Sequence, residues 1–495
     1  MIGRRPIRAP HRVPETSLRS AHRTFRGSGG AGPPSLVGLP GVRHADPRPA
    51  QVLETERFDT ADRRLAAAGM TLALHRAPDE PAQWRLDLPD GDGVETLRVP
   101  AADNLRPDVP DELVELIRGA ARERTVRAAG SARTVRTEFP LIGDDDRTLA
   151  VLVHDAVTVA TLGRAAELEA WTEIDLRPGG GDDVLLEAVA ERVGELGMRP
   201  AAPGAAAELD RMLRPAPRRR RAGRRGSAGA VLMDYIGRQA ERVAAEEVRV
   251  RRDAPDAVHQ MRIAARRLRS ALKAYRTVLD RSRTEPVADA LRHLGRELAP
   301  ARDAEVLRER IDADLAALPP DLLLGPVRAQ ATRHFARLEA EARAAVLTAL
   351  DSPDHIALRQ ALDDLLDRPP LTRRARRPAA RGLSARRSVK RLRRAMTAAL
   401  DGGDDTALHT ARKAAKRLRY ANEVTGRRPP GLKKLQKTLG HHQDVVVARP
   451  ALRELAATAD NGFSFGVLRG RDDGRAAALE AALPDLWQRA RKRIG

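Results

Sequence analysis

The stretch HQMRIAARRLR, residues 259–269, decides the fold of the C-terminal half, and a second copy, HTARKAAKRLR, occupies residues 409–419. Eight of the eleven positions keep their chemical class in both copies. A pattern that recurs after about 150 residues indicates a tandem arrangement of two pseudo-symmetric halves. The two copies therefore predict two helices that present a shared surface to a ligand.

One face of each predicted helix carries cations and the opposite face carries apolar residues. At roughly 100° per residue, the cations of the first copy fall within an arc of about 80°. They are His259, Arg262, Arg266, Arg269 and Lys273, and the second copy repeats them with His409, Arg412, Lys416 and Arg419. Like charges at these spacings cost about 0.2–0.5 kcal/mol per pair on an isolated helix. We therefore expect an anionic partner. The alternative, a solvated Arg-rich face, would mix Glu among the Arg.

The charge of the chain is unevenly distributed. The 495 residues include 89 Lys+Arg and 68 Asp+Glu, a net charge of +21. Residues 1–45 contribute +7, residues 46–210 contribute −14, and residues 211–495 contribute +28. This contrast predicts separate domains and a C-terminal half that attracts polyanions. The chain has no cysteine, which excludes disulfides, Cys-ligated zinc and thiol catalysis.

Composition and periodicity divide the chain into four segments. Residues 1–45, rich in Arg, Pro, Gly and Ser, predict a disordered basic extension. Residues 46–213 contain alternating β-rich runs and predict an α+β domain with a mostly antiparallel sheet. Residues 214–229, RPAPRRRRAGRRGSAG, predict a linker, with an anion-binding tether as the alternative. Residues 230–495 predict an all-α bundle with halves at about 230–366 and 383–490.

The composition also bears on partners and location. No apolar run approaches the roughly 18–20 residues of a membrane span, and no apolar segment follows Arg4-Arg5 to form a signal peptide. We therefore expect a cytoplasmic protein without membrane contact. Aromatic residues make up only 2% of the chain, so platforms for base stacking are few. Single-stranded nucleic acid is therefore disfavoured as the dedicated ligand.

The helices that carry residues 259–269 and 409–419 are called the His-Arg helices. Each is followed by a Leu-Gly…Asp…Val segment, Leu294-Gly295 to Val306 in the first half and Leu439-Gly440 to Val447 in the second. Together these motifs resemble the CHAD family (conserved histidine α-helical domain) over about residues 230–490. The resemblance implies an all-α bundle that binds inorganic polyphosphate along a basic channel without hydrolysis, with no catalytic residue and no required cofactor. Such a protein is expected in the cytoplasm, at polyphosphate granules. The implied ligand-facing residues are His259, Arg262, Arg266, Arg269, Lys273, His409, Arg412, Lys416 and Arg419, with Arg267, Lys413 and Arg417 in a second tier.

The upstream domain resembles a CYTH domain of the triphosphate tunnel metalloenzyme type. The similarity rests on four runs: Phe58-Asp59-Thr60, Trp84 to Pro89, Arg133-Thr134-Val-Arg136 and Trp171-Thr-Glu173-Ile-Asp175. It implies a sheet that forms a partial tunnel or barrel. The implied residual triphosphate-binding residues are Arg76, Arg133 and Arg136, and the implied ligands for Mg or Mn are Glu173 and Asp175. Those two acids share a strand face, and divalent cations of this kind prefer oxygen ligands.

The sequence departs from the CYTH pattern at several positions, so the upstream domain is a degenerate member of that type. Residues 1–45 contain one acid, Glu15, and no Glu-x-Glu-x-Lys opening strand. Asp87 stands where the family has an inward basic residue, and His75 replaces one Arg of a pair. We therefore expect the domain to lack a strand, a metal-binding pair and a phosphate-binding lysine. The chain is predicted to be a non-catalytic polyphosphate-binding protein. A metal-dependent triphosphatase and a non-specific nucleic-acid binder are the alternatives.

Four further expectations concern individual side chains and the arrangement of the two motif helices. Asp303 and Asp444 are predicted to pair with the basic helices or to cap helices. His441 and His442 are adjacent on a helix and do not share a face, so they are not expected to form a metal site. Trp84 and Trp171 are predicted to belong to the core. The two His-Arg helices are predicted to lie side by side and to line one groove.

Overall fold

The computed structural model describes residues 23–90, 93–102, 107–163, 166–202, 204–215, 223–459 and 461–494. The chain divides into two compact units, residues 1–216 and residues 217–495. The described part of the first unit is built around an antiparallel sheet, and that of the second is helical. The predicted fold class, an α+β antiparallel-sheet domain followed by an all-α bundle, is therefore confirmed.

The strands of the first unit form a single antiparallel sheet. They are β1 (Arg23–Ser28), β2 (Val42–His44), β3 (Gln51–Asp59), β4 (Thr71–Ala77), β5 (Glu80–Asp90), β6 (Gly93–Pro100), β7 (Arg127–Gly143), β8 (Thr148–Thr161), β9 (Leu168–Pro178) and β10 (Arg199–Pro200). The strand order is β10-β1-β9-β8-β7-β3-β4-β5-β6, and β2 pairs with β7. The long strands are rich in the β-branched residues that suit a pleated surface, as in TLAVLVHDAVTVAT of β8.

Four helices accompany this sheet, namely α1 (Arg64–Ala67), α2 (Asp111–Ala121), α3 (Asp183–Glu195) and α4 (Ala205–Met212). Helix α3 packs on one face of the sheet, where Leu185 meets Ile174. Helix α4 packs on the other face, where Leu209 meets Trp171. Trp84 is fully buried and Trp171 is 6% exposed, as predicted for core residues.

The prediction of a disordered extension over residues 1–45 is wrong for the described part of that segment. Strand β1 pairs with both β9 and β10, and β2 pairs with β7. The reason is that Phe25, which is 7% exposed, anchors β1 in the core next to α3. A single aromatic residue within Arg- and Gly-rich sequence gives too weak a periodic signal to predict a strand. Residues 1–22 lie outside the described residues.

The described part of the second unit consists of helices and two short 3₁₀ turns, at Pro320–Leu322 and Arg373–Arg376. The helices are α5 (Ala228–Arg251), α6 (Ala257–Ala274), α7 (Arg281–Glu297), α8 (Ala299–Ala316), α9 (Val327–Asp351), α10 (Pro353–Asp367), α11 (Ala379–Gly382), α12 (Arg386–Leu400), α13 (Asp405–Val424), α14 (Leu432–Thr458) and α15 (Phe463–Arg491). Helix α5 begins inside the predicted linker, since Ser227 caps it by accepting from the backbone N–H of Ala230.

Among the described residues, three apolar clusters hold this unit together. One joins α5, α6, α7, α9 and α10, and a second joins α12 to α15. A third is shared between the halves, because Phe335 of α9 and Phe465 of α15 are both buried in it. The Leu-Gly segments differ in the two halves. In the first half the helix is interrupted between α7 and α8, just before Pro300. In the second half the corresponding segment lies within the single helix α14.

Candidate anion-binding groove

Helices α6 and α13, which carry the two copies of the motif, lie side by side as predicted. Their apolar residues are buried, for example Leu268 and Leu418, both at 0% exposure. Polar contacts also join the helices, two of them near the C-terminal end of α13. The Tyr275 hydroxyl donates to the carbonyl oxygen of Ala421 at 2.7 Å, and Arg267 Nε donates to Glu423 Oε2 at 2.9 Å.

A groove of about 730 Å³ runs along these helices, with α7 and α12 on its sides. Its charged lining consists of eleven Lys and Arg residues and one carboxylate. The cations are Arg266, Arg269, Lys273, Arg276, Arg281, Arg387, Arg391, Arg412, Lys413, Lys416 and Arg417. The carboxylate, Glu285, lies 2.7 Å from the guanidinium of Arg281. The groove therefore has a large excess of positive charge and attracts anions.

Lys416 is the most strongly perturbed of the lining cations. Burial lowers the pKa of its ammonium group to about 7, and the neighbouring guanidinium groups of Arg412 and Arg266 lower the pKa further. Both causes act against the charged form. An anion bound in the groove would supply the missing opposite charge.

Two guanidinium groups of the groove have a buried hydrogen-bond donor without a partner among the described residues. The Nε atoms of Arg269 and Arg412 are buried without a hydrogen-bond partner among the described residues. Burial also lowers the pKa of both side chains, although Arg remains charged in proteins. A buried donor without a partner costs about 1–3 kcal/mol. Phosphate oxygens, which accept from forked guanidinium donors, would satisfy these groups.

The aromatic ring of Tyr420 forms a platform beneath the cations. Arg266 Nε donates to the Tyr420 hydroxyl at 3.0 Å, and the guanidinium of Arg419 lies 4.9 Å from the ring centroid. The ring is buried, at 1% exposure. Tyr420 therefore orients the arginines, and its face is not open for stacking with a base.

Six of the nine predicted ligand-facing residues line the groove, namely Arg266, Arg269, Lys273, His409, Arg412 and Lys416. The other three, His259, Arg262 and Arg419, are not among its lining residues. Arg262 donates to the carbonyl oxygen of Ala299 and to Asp303, 3.4 Å away. Arg419 pairs with Glu423 at 3.4 Å. A common arc on a helix gives the direction of a side chain, but it does not show where the groove ends.

His409 lies in the groove as a neutral side chain near pH 7. Burial lowers its pKa, and the cations of Lys413 and Arg412 lower it further, whereas the hydrogen bond that His409 donates to Gln443 raises it. The Nδ1 atom of His409 is hydrogen-bonded to Oε1 of Gln443. Because an amide oxygen only accepts, Nδ1 carries the proton and Nε2 presents a lone pair. Burial lowers the pKa of His259 as well.

The second-tier residues divide in the same way. Lys413 and Arg417 line the groove, whereas Arg267 pairs with Glu423. Two cations of α12, Arg387 and Arg391, were missed by sequence reasoning because that helix lacks the histidine motif. The available signal was their spacing of four residues, which places both arginines on one side of α12 while Leu392 is buried in the core.

The two aspartates of the Leu-Gly segments face the basic helices. Asp303 pairs with Arg262, which confirms the expected pairing. The charge of Asp444 acts on Arg412 and Lys416, raising the pKa of each against the larger effect of burial. These acids therefore act as counter-charges behind the cations.

In the sheet unit, the predicted triphosphate-binding residues lie on two different faces. Arg136 faces Asp155 and makes two hydrogen bonds to it, at 2.9 and 2.7 Å. Arg133 lies on the opposite face, where it pairs with Glu54 across the strands at 3.5 Å. Arg76 lies on that face too, 3.3 Å from Glu56. The structure thus does not bring Arg76 and Arg133 together with Arg136.

The predicted metal ligands, Glu173 and Asp175, do share a strand face, but their surroundings do not fit Mg or Mn. Strand β1 places Arg26 opposite Glu173 in the register, with its Nε 3.8 Å from the carboxylate. Trp171 Nε1 donates to the same carboxylate at 2.7 Å. Asp175 accepts from Arg177 Nε at 3.1 Å. Arginines thus already neutralise these acids, and no metal chemistry follows from them.

The prediction that the sheet domain lacks its opening strand is also wrong. Strand β1 precedes β3 and pairs with β9, but its sequence RTFRGS supplies Arg23 and Arg26 rather than acids. The strand is therefore present, but it lacks the acidic side chains that the CYTH resemblance implies.

Comparison with known proteins agrees with this architecture. The CHAD domain family matches residues 234–453, so this part of the helical unit is a CHAD domain. The chain belongs to the same family as the Mycobacterium tuberculosis H37Rv protein Rv2226. The two are 32% identical over 491 residues, which cover 93% of this chain and 94% of Rv2226.

Three solved structures are similar to parts of the chain. PptA from Streptomyces chartreusis is 25% identical, with a TM-score of 0.46, and covers 53% of this chain and 99% of its own. The CHAD domain from the plant Ricinus communis is 26% identical, with a TM-score of 0.42, and covers 55% and 96%. CYTH-like structures align with the N-terminal region, among them HpAC1 from Hippeastrum, described with a dominant triphosphatase activity. HpAC1 is 14% identical, with a TM-score of 0.21, and covers 40% and 97%.

Within the described residues, no helix is both long and apolar enough to cross a membrane.

Proposed function

We propose that this protein binds inorganic polyphosphate in the groove between α6, α12 and α13, without hydrolysing it. The observation that carries the proposal is the excess of eleven Lys and Arg residues over one carboxylate in a single groove. Buried guanidinium donors without partners in the described part of the chain support it. A linear polyphosphate carries negative charge on every unit and offers oxygens along its whole length. It therefore matches a row of forked donors and point charges.

Nucleic acid is the secondary candidate, because cationic grooves also attract its backbone. The position of Tyr420 favours polyphosphate. Tyr420, the aromatic side chain of the groove, is buried and covered by Arg266 and Arg419. Stacking with bases, which contributes about 1–3 kcal/mol per base in single-strand binders, is therefore not available at that ring.

Competition between the two polyanions tests the proposal. The full chain is bound to labelled long-chain polyphosphate at about 150 mM salt, where sequence-independent DNA binding is weak. Unlabelled polyphosphate should displace the label at a much lower phosphate concentration than duplex DNA. Equal displacement by the two would contradict the proposal and favour a general polyanion binder. Within the proposal, the protein acts in the cytoplasm at polyphosphate granules.

We expect the affinity for polyphosphate to decrease as the pH rises above 7. Burial and neighbouring cations lower the pKa of Lys416 to about 7, so the free protein loses this charge as the pH rises through that value. A bound polyanion stabilises the ammonium form, so binding above pH 7 requires proton uptake. The dissociation constant should then rise by up to about tenfold per pH unit. Titrations between pH 6 and 9 with long chains, whose few terminal groups contribute little, measure this.

Lys416→Arg provides the control for the pH dependence, because a guanidinium stays charged throughout this range. The variant should bind with a much flatter pH profile, whereas Lys273→Arg should keep the profile of the wild-type protein. An unchanged slope in Lys416→Arg would show that another group takes up the proton.

The sheet unit should not release phosphate from tripolyphosphate above background with Mg²⁺ or Mn²⁺. Arg26 beside Glu173 repels a divalent cation, and the guanidinium of Arg136 is already bound by Asp155. The assay uses the full chain, since β1 shows that residues before 46 belong to the sheet. Metal-dependent release that disappears in Glu173→Gln would instead support the triphosphatase alternative.

A further inference from the structure

A separate cluster of side chains in the helical unit joins three helices. Asp405 in the first turn of α13, His442 of α14 and Glu480 of α15 each place one ligand-type atom within 4.8 Å of the other two. His442 is buried, at 2% exposure. The side chains of Asp405 and Glu480 are 40% and 48% exposed, so the cluster opens to solvent on one side. None of the three residues lines the groove.

The distances within the cluster suit a small metal ion. His442 Nε2 lies 2.7 Å from Glu480 Oε1 and 3.6 Å from Asp405 Oδ1. A zinc ion about 2.0–2.2 Å from each of its ligands holds neighbouring ligand atoms roughly 3–3.5 Å apart. The two carboxylate oxygens lie within 4.8 Å of each other, so movements of about an ångström in these exposed side chains would be enough to reach that geometry.

The surrounding contacts orient one of the carboxylates. Arg449 Nη1 donates to Asp405 Oδ2 at 2.6 Å, so the other oxygen, Oδ1, is left facing His442. Arg449 is itself shared with Asp473, 3.2 Å away. Such outer hydrogen bonds fix the direction of a metal-binding carboxylate. Asp473 also pairs with Arg469, so the three carboxylates and two guanidinium groups together keep a net charge of −1, which favours binding of a cation.

We propose that Asp405, His442 and Glu480 bind a divalent transition-metal ion, with zinc as the best match. One imidazole nitrogen and two carboxylate oxygens suit zinc, whereas magnesium prefers oxygen ligands alone. Binding requires the lone pair of His442 Nε2, so the ring proton moves to Nδ1. Water completes the coordination. His441 does not bind the ion, because it is exposed and lies on a different face of α14 from His442.

The site would stabilise the start of the second His-Arg helix. Asp405 lies one turn before His409, and Gln443, next to His442, is hydrogen-bonded to His409. An ion shared by α13, α14 and α15 would therefore fix the position of α13 at one end of the groove. The inference does not rest on polyphosphate binding, so zinc is tested in its absence.

The test measures zinc retained by the full chain, purified without a histidine tag, stripped with EDTA, reloaded with zinc and desalted. The wild-type protein and His441→Gln should each retain about one zinc ion per chain, as a three-ligand site predicts. His442→Gln should retain none. Because the two histidines are adjacent, His441→Gln controls for zinc held by surface histidines. Equal retention by both variants would overturn the proposal.

A second variant keeps the test decisive if His442→Gln folds poorly. Glu480→Gln replaces a half-exposed ligand and should leave the helical circular dichroism unchanged. Zinc should raise the melting temperature of the wild-type protein and of His441→Gln but not that of Glu480→Gln. An equal rise in all three, or an equal rise with magnesium, would show binding to general acidic surface and would contradict the assigned site.

Discussion

Lys416→Glu should lower the affinity for polyphosphate by more than about a hundredfold. The substitution removes a charge-assisted contact, which contributes about 1.5–3 kcal/mol, and places a carboxylate next to the bound anion. The free protein should remain folded, because the new carboxylate would face Arg412 and Arg266, whose charges already act on this position. Equilibrium titration with long-chain polyphosphate measures the loss, and a thermal unfolding curve verifies the fold.

Arg337→Glu is the matched control for this substitution. It changes the net charge by the same amount, but Arg337 lies on α9 with 59% of its side chain exposed and pairs with Glu341 of the same helix. Arg343 would be a poorer control, because its guanidinium also donates to the backbone oxygen of Val250. Affinity should change less than about threefold in Arg337→Glu, as expected for an exposed pair of low energy. Comparable losses at both positions would mean that net charge alone governs binding.

Raising the salt concentration from about 50 mM to 200 mM should weaken polyphosphate binding by roughly a hundredfold or more. Each phosphate neutralised by Lys or Arg releases a counterion, so the logarithm of affinity falls linearly with the logarithm of salt. The groove offers many such cations from four neighbouring helices, α6, α7, α12 and α13. Titrations at four or five salt concentrations give the slope.

Arg412→Gln tests the origin of that slope. Removing one phosphate-binding charge should make the slope shallower by about 0.7, in addition to lowering the affinity. The Arg337→Gln variant should keep the wild-type slope, because that side chain lies outside the groove. A wild-type affinity that does not change with salt would contradict the electrostatic account.

The helical unit was predictable because its signal is periodic and repeated. The positions of Arg266 and Lys416 opposite buried Ala and Leu residues fix which face of each helix meets the core. Because the two copies share the same pattern, the sequence also predicted that α6 and α13 lie next to each other. What helical spacing could not supply was the extent of the groove. That extent depends on tertiary contacts such as the hydrogen bond from Arg262 to Ala299.

The sheet unit shows two limits of sequence reasoning. Strand β1 was missed because six residues with one buried aromatic, Phe25, carry little pattern. The grouping of Arg133 with Arg136 had a signal that could have corrected it, since residues three apart on a strand point to opposite faces. The partner of each arginine, Glu54 or Asp155, follows from strand register, which a single strand's sequence does not contain.

The cluster around His442 shows the same limit in the helical unit. His441 precedes His442 by one residue and cannot share its face of the helix. For that reason the sequence predicted no metal site at this pair of histidines. The carboxylates that approach His442 come from residues 37 positions before it and 38 positions after it. Such convergence arises from helix packing and has no local sequence signal.

A crystal structure of the full chain with bound polyphosphate of defined length tests the central claim most directly. The account predicts continuous density for phosphate units along the groove, in contact with Arg266, Arg412 and Lys416, and an intact chain length in the dissolved crystals. Phosphate density on the sheet unit with an empty groove, or chains shortened by the protein, would contradict it.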